Sequence, residues 1–164
     1  MAHQFYIYAI TRYTSRKHVK NGVRMHPCPF CNTQALEERI IYTTDIMYVL
    51  VPSKPASLKH LLIIPKAHRP TYLDLTLLEI GELQQNVRLI VDKLSDKQST
   101  TGYNLVSNNG TVQADQHVPH FHQHLFIRSL DEPSPFSVLN GTADAPRLSQ
   151  TLAEHARALH IRLT

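Results

Sequence analysis

The sequence VPHFHQHLFI occupies residues 118–127, and within it residues 120–124 carry a histidine at every second position. The aromatic and β-branched content predicts a strand, in which successive side chains point to opposite faces. The three imidazoles therefore share one face, whereas Phe121 and Leu125 point to the other face, toward a core. Three imidazoles on one face are costly to leave without partners, so we expect a metal, a phosphate or a hydrogen-bond relay there.

Two kinds of chemistry fit such a face of histidines. One is a metal site that uses several imidazoles as ligands. The other is nucleophilic catalysis, in which a neutral imidazole attacks phosphorus while its neighbours fix its tautomer and stabilise charge. The strand geometry alone does not choose between them, and three unrelated surface histidines are the plain alternative.

The composition is that of an ordinary globular domain with an excess of histidine. The chain has 164 residues, of which 42% are hydrophobic and 18% charged, with eleven histidines and two cysteines. This length predicts a single domain over residues 1–164, and the composition excludes a disordered tail, a collagen-like fibre and a coiled coil. No apolar run approaches the roughly 18 residues of a membrane span, and two cysteines are too few for a disulfide framework.

Charge is distributed unevenly along the chain, whose formal net charge is +4. The first 36 residues contain five Lys and Arg residues and no Asp or Glu. Such a region either attracts phosphate-bearing ligands or is a solvated basic face. The opening apolar run, residues 5–10, is too short for a secretory signal, so we expect a cytoplasmic protein, with an organellar transit peptide as a minor alternative.

The segments around the histidine stretch predict an α+β fold with an antiparallel sheet. Thr76 and Glu79 form a T-x-x-E capping box followed by apolar residues at helical spacing, which predicts the main helix at residues 77–95. A last helix is predicted over residues 145–162, with Asp144 as its N-cap. The other strands are predicted at residues 5–13, 39–42, 46–51, 60–65 and 102–107, and loops at 14–27 and 131–146.

Residues 116–125 resemble the histidine-triad motif, H-φ-H-φ-H-φ-φ, in which φ is an apolar residue. Further landmarks of the same family follow the family order: CPFC at 28–31, ERII at 38–41, HLLIIPKAH at 60–68, DL at 74–75, GYN at 102–104 and NNG at 108–110. The resemblance covers residues 28–128 and leaves 1–27 and 129–164 as extensions. It implies the histidine-triad fold, an antiparallel sheet of about five strands covered by one main helix, with a C-terminal helix added here.

The histidine-triad family comprises nucleotide hydrolases and transferases, and the resemblance implies roles for individual residues. His122 would attack the α-phosphorus of a nucleoside phosphoramidate, a nucleotide ester or a dinucleoside polyphosphate and form a covalent nucleotidyl-histidine. His124 would hydrogen-bond the phosphate or the leaving group. Asn108, Gln116 and His117 match positions that contact phosphate. The implied partner is a small-molecule nucleotide, and no nucleic acid or membrane partner is expected.

The sequence departs from the family pattern near the predicted phosphate site. Asp115 stands where the family usually has Gly and adds a negative charge, and His117 replaces a small Ser or Thr. These changes favour one alternative, a nucleotide-binding or adaptor protein with weak catalysis. A second alternative is a metalloenzyme whose metal is bound by the three histidines of residues 120–124.

Cys28 and Cys31 form a C-x-x-C motif, which is half of a zinc site. The resemblance implies His68 and His120 as the other two ligands. One zinc per chain would then be held in a closed, structural Cys2His2 site. The alternative is a pair of free cysteines without metal.

The remaining histidines have less specific interpretations. His26 is a rival metal ligand, and His60 should be packed or hydrogen-bonded. Four others are expected at the surface: His3, His18, His155 and His160.

The resemblance also implies a homodimer, because members of the family commonly pair through the sheet edge and the covering helix. The helix at 77–95 and the apolar stripe of the last helix would supply the surface buried in that dimer.

Overall fold

The computed structural model describes residues 28–145, 147–148 and 151–163 and has an α+β fold. The predicted strand at 5–13, the predicted loop at 14–27 and His26 lie outside the described residues. The helices are α1 (Thr33–Leu36), α2 (Leu77–Leu94), α3 (Pro135–Leu139) and α4 (Leu152–Leu163), and the strands are β1 (Ile40–Thr43), β2 (Met47–Leu50), β3 (His60–Pro65), β4 (Thr100–Val106) and β5 (Gln123–Ser129). Short 3-10 turns span Glu37–Arg39, Tyr72–Asp74 and Val112–Ala114.

The five strands form one antiparallel sheet in the order β1-β2-β3-β5-β4, which confirms the predicted fold class. The predicted hairpin between the first two of these strands is also confirmed, and Thr44 N donates to Met47 O at 3.1 Å in its turn. Strand β3 lies between β2 and β5. Its residue Leu62 pairs with His124, and His60 pairs with Phe126, so the start of β3 lies beside the histidine strand.

The main core lies between one face of the sheet and the helices α2 and α4. Leu61 and Ile63 from β3 enter it, as do Leu125 and Ile127 from β5, and all four are fully buried. The predicted capping box of α2 is confirmed, because the side chain of its N-cap accepts from the backbone of the third helical residue and that residue's carboxylate accepts in return. Burial of this one face leaves the other face of the sheet free to carry polar groups.

That second face carries a smaller apolar cluster, which consists of Phe30, Leu36, Leu50, Leu62 and Ile64. The alternation of side chains along a strand places Leu62 and His124 on this face, opposite the main core. The histidines therefore lie on the face of the sheet that α2 does not cover.

Three sequence predictions need correction. Strand β5 begins at Gln123 and not at residue 118, because its pairing with β3 ends at the Ile63–Gln123 pair and Phe121 N instead donates to Arg69 O. The predicted loop at 131–146 contains helix α3, which begins with a proline in its first turn, a position that proline favours. Helix α4 begins at Leu152 and not at residue 145.

The start of α4 follows from a second capping box. Thr151 Oγ1 accepts from Glu154 N, and the Glu154 carboxylate accepts from Thr151 N at 2.9 Å. This reciprocal pair satisfies two backbone donors that a helix start leaves free. Asp144 is therefore not the N-cap.

The apolar stripes expected to form a dimer are buried within the chain itself. Ala156 and Leu159 of α4 and the apolar face of α2 belong to the main core. Large exposed apolar side chains lie instead at Leu73 and Leu77, and at Tyr103 on the edge strand β4. The homodimer stays a prediction. No helix in the described part of the chain is long and apolar enough to cross a membrane.

Candidate active site and metal centre

The three histidines of residues 120–124 follow one another along the face of the sheet that α2 does not cover. The rings of His120 and His122 both contact Phe30 edge-on, with centroid distances of 5.8 and 5.3 Å. The His122 and His124 rings are 5.0 Å apart. Phe121 is buried in the main core on the other side. The predicted alternation is confirmed, and it extends into the residues that precede β5.

His122 is held in one tautomer by the backbone of His120. Its Nδ1 lies 2.8 Å from the carbonyl oxygen of His120, which only accepts, so Nδ1 carries the proton and donates it. Nε2 is therefore left with a free lone pair. Burial lowers the pKa of His122 below its ordinary value. A neutral imidazole with a free nitrogen has the form that a nucleophile needs.

His124 is held in the opposite tautomer by a relay that starts at the backbone. Ala56 N donates to His60 Nδ1 at 3.0 Å, so the proton of His60 is on Nε2. That Nε2 lies 2.9 Å from His124 Nδ1, which must accept. The proton of His124 is therefore on Nε2, and this nitrogen is a hydrogen-bond donor.

Burial keeps both members of this relay neutral. It lowers the pKa of His60 to about 3, with a further contribution from His124, and it lowers the pKa of His124 to about 4. The expectation that His60 is hydrogen-bonded is confirmed. Its relation to His124 was missed, because the two residues are 64 positions apart and only the β3–β5 register brings them together.

A cavity of about 660 Å³ opens beside His122 and His124. Phe136 and Leu139 of α3 form part of its apolar wall, and this wall was missed because the segment was predicted to be a loop. The Ser134-Pro135 pair was the available signal, since proline often occupies the first position of a helix. The other lining residues are Val106, Asn108, Asp115, His117, Phe126 and Asn140.

The structure separates the three residues that were predicted to contact phosphate. Asn108 and His117 line the cavity, and Asn108 Nδ2 donates to the backbone oxygen of Asp115 at 3.2 Å. Gln116 is buried, and its amide binds the protein itself: Oε1 accepts from Gly110 N at 2.5 Å and Nε2 donates to Pro70 O at 2.6 Å. These bonds hold the loop in place, and the phosphate contact of Gln116 stays a prediction.

The four predicted metal ligands lie together. The ligand atoms of Cys28, Cys31, His68 and His120 are all within 4.8 Å of one another. Three of the sulfur–nitrogen distances are 3.4 to 3.5 Å, namely Cys28 to His120, Cys31 to His68 and Cys31 to His120. The C-x-x-C turn is closed by a bond from Cys31 N to Cys28 O, and both cysteines are free thiols. The group is suited to hold a metal ion.

The orientation of His120 suits this role. Its Nε2 lies 2.9 Å from the carbonyl oxygen of Pro65 and donates to it, which leaves Nδ1 as the lone-pair nitrogen that faces both sulfurs. Burial lowers the pKa of His120 to about 4, so the ring is neutral. The side chain of His120 thus faces the two cysteines, and its carbonyl oxygen accepts the hydrogen bond from His122 Nδ1.

The comparisons with known proteins show the family to which this chain belongs. Residues 33–130 match the HIT domain model, so the chain belongs to the histidine-triad, or HIT, family. It is 30% identical over 89 residues to the bifunctional bis(5'-adenosyl)-triphosphatase/adenylylsulfatase FHIT of Arabidopsis thaliana, a match that covers 54% of this chain and 49% of that protein. It is 32% identical over 90 residues to the asymmetrical bis(5'-nucleosyl)-tetraphosphatase of Schizosaccharomyces pombe, covering 55% and 49%.

The fold is also shared with solved structures. A hypothetical histidine triad nucleotide-binding protein of Sulfolobus tokodaii superposes with a TM-score of 0.62 at 26% identity, over 83% of this chain and 89% of that one. The resemblance seen in the sequence and the five-stranded fold that it implied are both confirmed. The chain spans about half the length of the two curated relatives.

Proposed function

We propose that this protein is a nucleotide hydrolase or nucleotidyl transferase that acts at an α-phosphate through a covalent intermediate on His122. Its substrate would be a nucleoside phosphoramidate, a nucleotide ester or a dinucleoside polyphosphate. The observation that carries the proposal is the pairing of two opposite tautomers in one cavity. His122 offers a lone pair on Nε2, and His124, with its ring 5.0 Å away, offers a proton on Nε2.

The proposed reaction has two displacements at phosphorus. The lone pair of His122 Nε2 forms a bond to phosphorus, and the bond from phosphorus to the leaving group breaks. The electron pair goes to the leaving atom, which accepts a hydrogen bond from His124 Nε2–H and takes up a proton from solvent. Water then attacks phosphorus, the bond to His122 breaks with its electron pair returning to Nε2, and the water proton returns to solvent.

Two further observations support this reaction. Neutral imidazoles are the working forms of both residues, and burial holds the pKa of His124 at about 4. The two curated relatives are named as enzymes that act on adenosyl or nucleosyl polyphosphates, and one is also named an adenylylsulfatase. Each of these substrates has a bond at a nucleotide phosphate that a nucleophile can break.

We also propose that the Cys28, Cys31, His68 and His120 group binds one structural zinc ion. Zinc–sulfur bonds of about 2.3 Å and zinc–nitrogen bonds of about 2.0–2.1 Å in a tetrahedron require sulfur–nitrogen distances of about 3.6 Å. The 3.4 to 3.5 Å distances between these side chains fit that requirement. The metal would hold the C-x-x-C turn against the residue that positions His122. Unpaired cysteines are typical of a reducing compartment, which supports a cytoplasmic location.

The metalloenzyme alternative, with the metal on His120, His122 and His124, is less well supported. His120 Nδ1 faces the cysteines, and the Nδ1 atoms of His122 and His124 are both engaged in hydrogen bonds. The weakly catalytic adaptor is favoured by one observation, the acidic residue Asp115 in the cavity lining.

The test is capture of the intermediate. The protein is mixed with adenosine 5'-phosphoramidate, quenched in base and examined by intact mass and peptide mapping. We expect an adenylyl adduct on His122, with turnover lost in His122→Ala by at least about a thousandfold. His124→Ala should lower the rate less, because it removes a hydrogen bond and not the nucleophile.

His155→Ala is the matched control, because this histidine bonds the backbone of Leu58 and does not line the cavity. It should behave as wild type. Turnover by His122→Ala at close to the wild-type rate would show that the covalent mechanism is wrong.

A further inference from the structure

One residue that lines the cavity, Asp115, is acidic and has an unusual backbone conformation. Asp115 has φ = +58°, and among the described residues it is the single non-glycine residue with positive φ. It ends the turn Val112–Ala114 with a bond from its backbone N to Val112 O at 3.0 Å. Asp and Asn tolerate this left-handed conformation better than other side chains do. The turn therefore accepts an acidic side chain at a position that glycine would also fill.

Asp115 is one of the residues that line the cavity beside His122 and His124. Asp115 lines it together with His117, His122 and His124, and the bond from Asn108 to its backbone oxygen holds the residue in place. Within the part of the chain that the structure describes, no Lys, Arg or His nitrogen lies within 4.0 Å of its carboxylate. No ion pair of that kind therefore neutralises the negative charge of this exposed side chain.

The rest of the lining supplies no positive charge from lysine or arginine. The described residues that line the cavity include no lysine and no arginine. Burial keeps His124 neutral, with its pKa at about 4. An α-phosphate in a phosphoramidate or an anhydride carries one negative charge, and a polyphosphate leaving group adds several more. The negative charge of an acidic residue in the lining raises the free energy of such a bound polyphosphate.

We propose that Asp115 selects substrates whose leaving group carries a positive charge, so that the preferred substrates are nucleoside 5'-phosphoramidates of amines with a second, protonated amino group. This inference rests on the proposed function, since it concerns the leaving group in the same reaction. The bond from phosphorus to the amide nitrogen breaks as the bond to His122 forms. The amide nitrogen takes the electron pair and a solvent proton and departs as a cationic amine, which the carboxylate attracts throughout.

The test uses three substrates that share the adenosine 5'-phosphoryl group. One is the 2-aminoethyl amide, which is cationic, and the second is the 2-hydroxyethyl amide, which has the same size and no charge there. The third is diadenosine tetraphosphate, whose leaving group is strongly anionic. The measurement is kcat/KM for each, at low and at high salt, in wild type, Asp115→Asn and Asp115→Gly.

In wild type we expect kcat/KM to be about three- to fivefold higher for the aminoethyl than for the hydroxyethyl amide. This is the effect of the attraction between two opposite charges that are exposed to water. Asp115→Asn keeps the tolerance for positive φ and removes the charge, so this ratio should fall to about one and activity on the tetraphosphate should rise relative to the neutral amide. Asp115→Gly should give the same ratio. Agreement between the two variants would show that the charge of Asp115, and not its backbone conformation, sets the preference. Salt should weaken the preference in wild type alone.

Asp92→Asn is the matched control, because it removes the same charge from an exposed position on α2, outside the cavity lining. It should keep the wild-type ratio. An unchanged ratio in Asp115→Asn, or no preference in wild type, overturns the inference while leaving the proposed function intact. If none of the three substrates is turned over and no adduct forms, the proposed function is wrong. The dissociation constants of the two amides, measured in wild type and in Asp115→Asn, then show whether Asp115 favours binding of the cationic amide.

Discussion

The relay through His60 predicts that a residue outside the proposed catalytic pair, His122 and His124, affects the rate of the proposed reaction. Two substitutions at this position separate its two hydrogen bonds. The amide nitrogen of glutamine in His60→Gln occupies the place of His60 Nε2 and keeps a donor toward His124 Nδ1. The shorter side chain of His60→Asn keeps an acceptor for Ala56 N but cannot reach His124. The tautomer argument predicts that Asn impairs the reaction and Gln preserves most of it.

The size of the effect follows from the bond that is lost. A neutral hydrogen bond such as the 2.9 Å contact between His60 and His124 contributes about 0.5–1.5 kcal/mol. Its loss lets His124 populate the tautomer with no proton on Nε2, which corresponds to a decrease of about two- to twelvefold in kcat. This is smaller than the decrease of about a hundredfold or more expected when a donor to the developing charge is removed entirely, as in His124→Ala.

The assay compares two leaving groups. With adenosine 5'-phosphoramidate the leaving nitrogen needs the hydrogen bond from His124, so His60→Asn should reduce kcat by about tenfold. With the p-nitrophenyl ester of AMP the departing charge is delocalised, and the same variant should lose at most about twofold. Melting temperatures of both variants control for damage to the buried site. Equal losses with both substrates, or equal losses in His60→Gln and His60→Asn, would refute the tautomer argument.

Three further predictions concern the metal, acid stability and association. Purified protein should contain about one zinc per chain. Cys28→Ser should lose the metal and have a lower melting temperature, whereas His26→Ala should keep the metal. Metal analysis that finds folded, metal-free wild type would contradict this prediction. Burial lowers the pKa of His60 to about 3 and that of His124 to about 4 in the folded protein, below the value of 6.5 in the unfolded chain. The free energy of unfolding should therefore be highest above pH 6.5 and fall as the pH decreases toward 4. Each histidine should contribute up to about 1.4 kcal/mol per pH unit to this decrease. Urea titrations across this range measure it, and a smaller slope in His60→Gln assigns it, whereas a flat profile would be inconsistent with neutral buried rings. Sedimentation at micromolar concentration should show a homodimer, and a single species of 18.7 kDa would exclude it.

The elements that were predicted correctly depend on local rules. The Thr76–Glu79 capping box and the apolar spacing after it placed α2 correctly at its start and within one residue at its end. One error occurred where a tertiary contact competes with a local pattern, since Phe121 N bonds to Arg69 O instead of a strand partner. The error at α4 was a choice between two local signals, because the Thr151–Glu154 box starts the helix later than Asp144 suggested.

The sequence by itself determined the face of histidines, because alternation along an extended chain needs no knowledge of the fold. It also determined the family and, through that resemblance, the four metal-ligand candidates. Only the tertiary structure decided which nitrogen of each imidazole carries its proton. For His124 and His120 that choice depends on partners distant in the sequence, since His60 meets His124 across 64 residues and Pro65 meets His120 across 55. The apolar wall of α3 and the place of Asp115 in the cavity lining likewise emerge only in the folded chain, because residues far apart in the sequence line the same cavity.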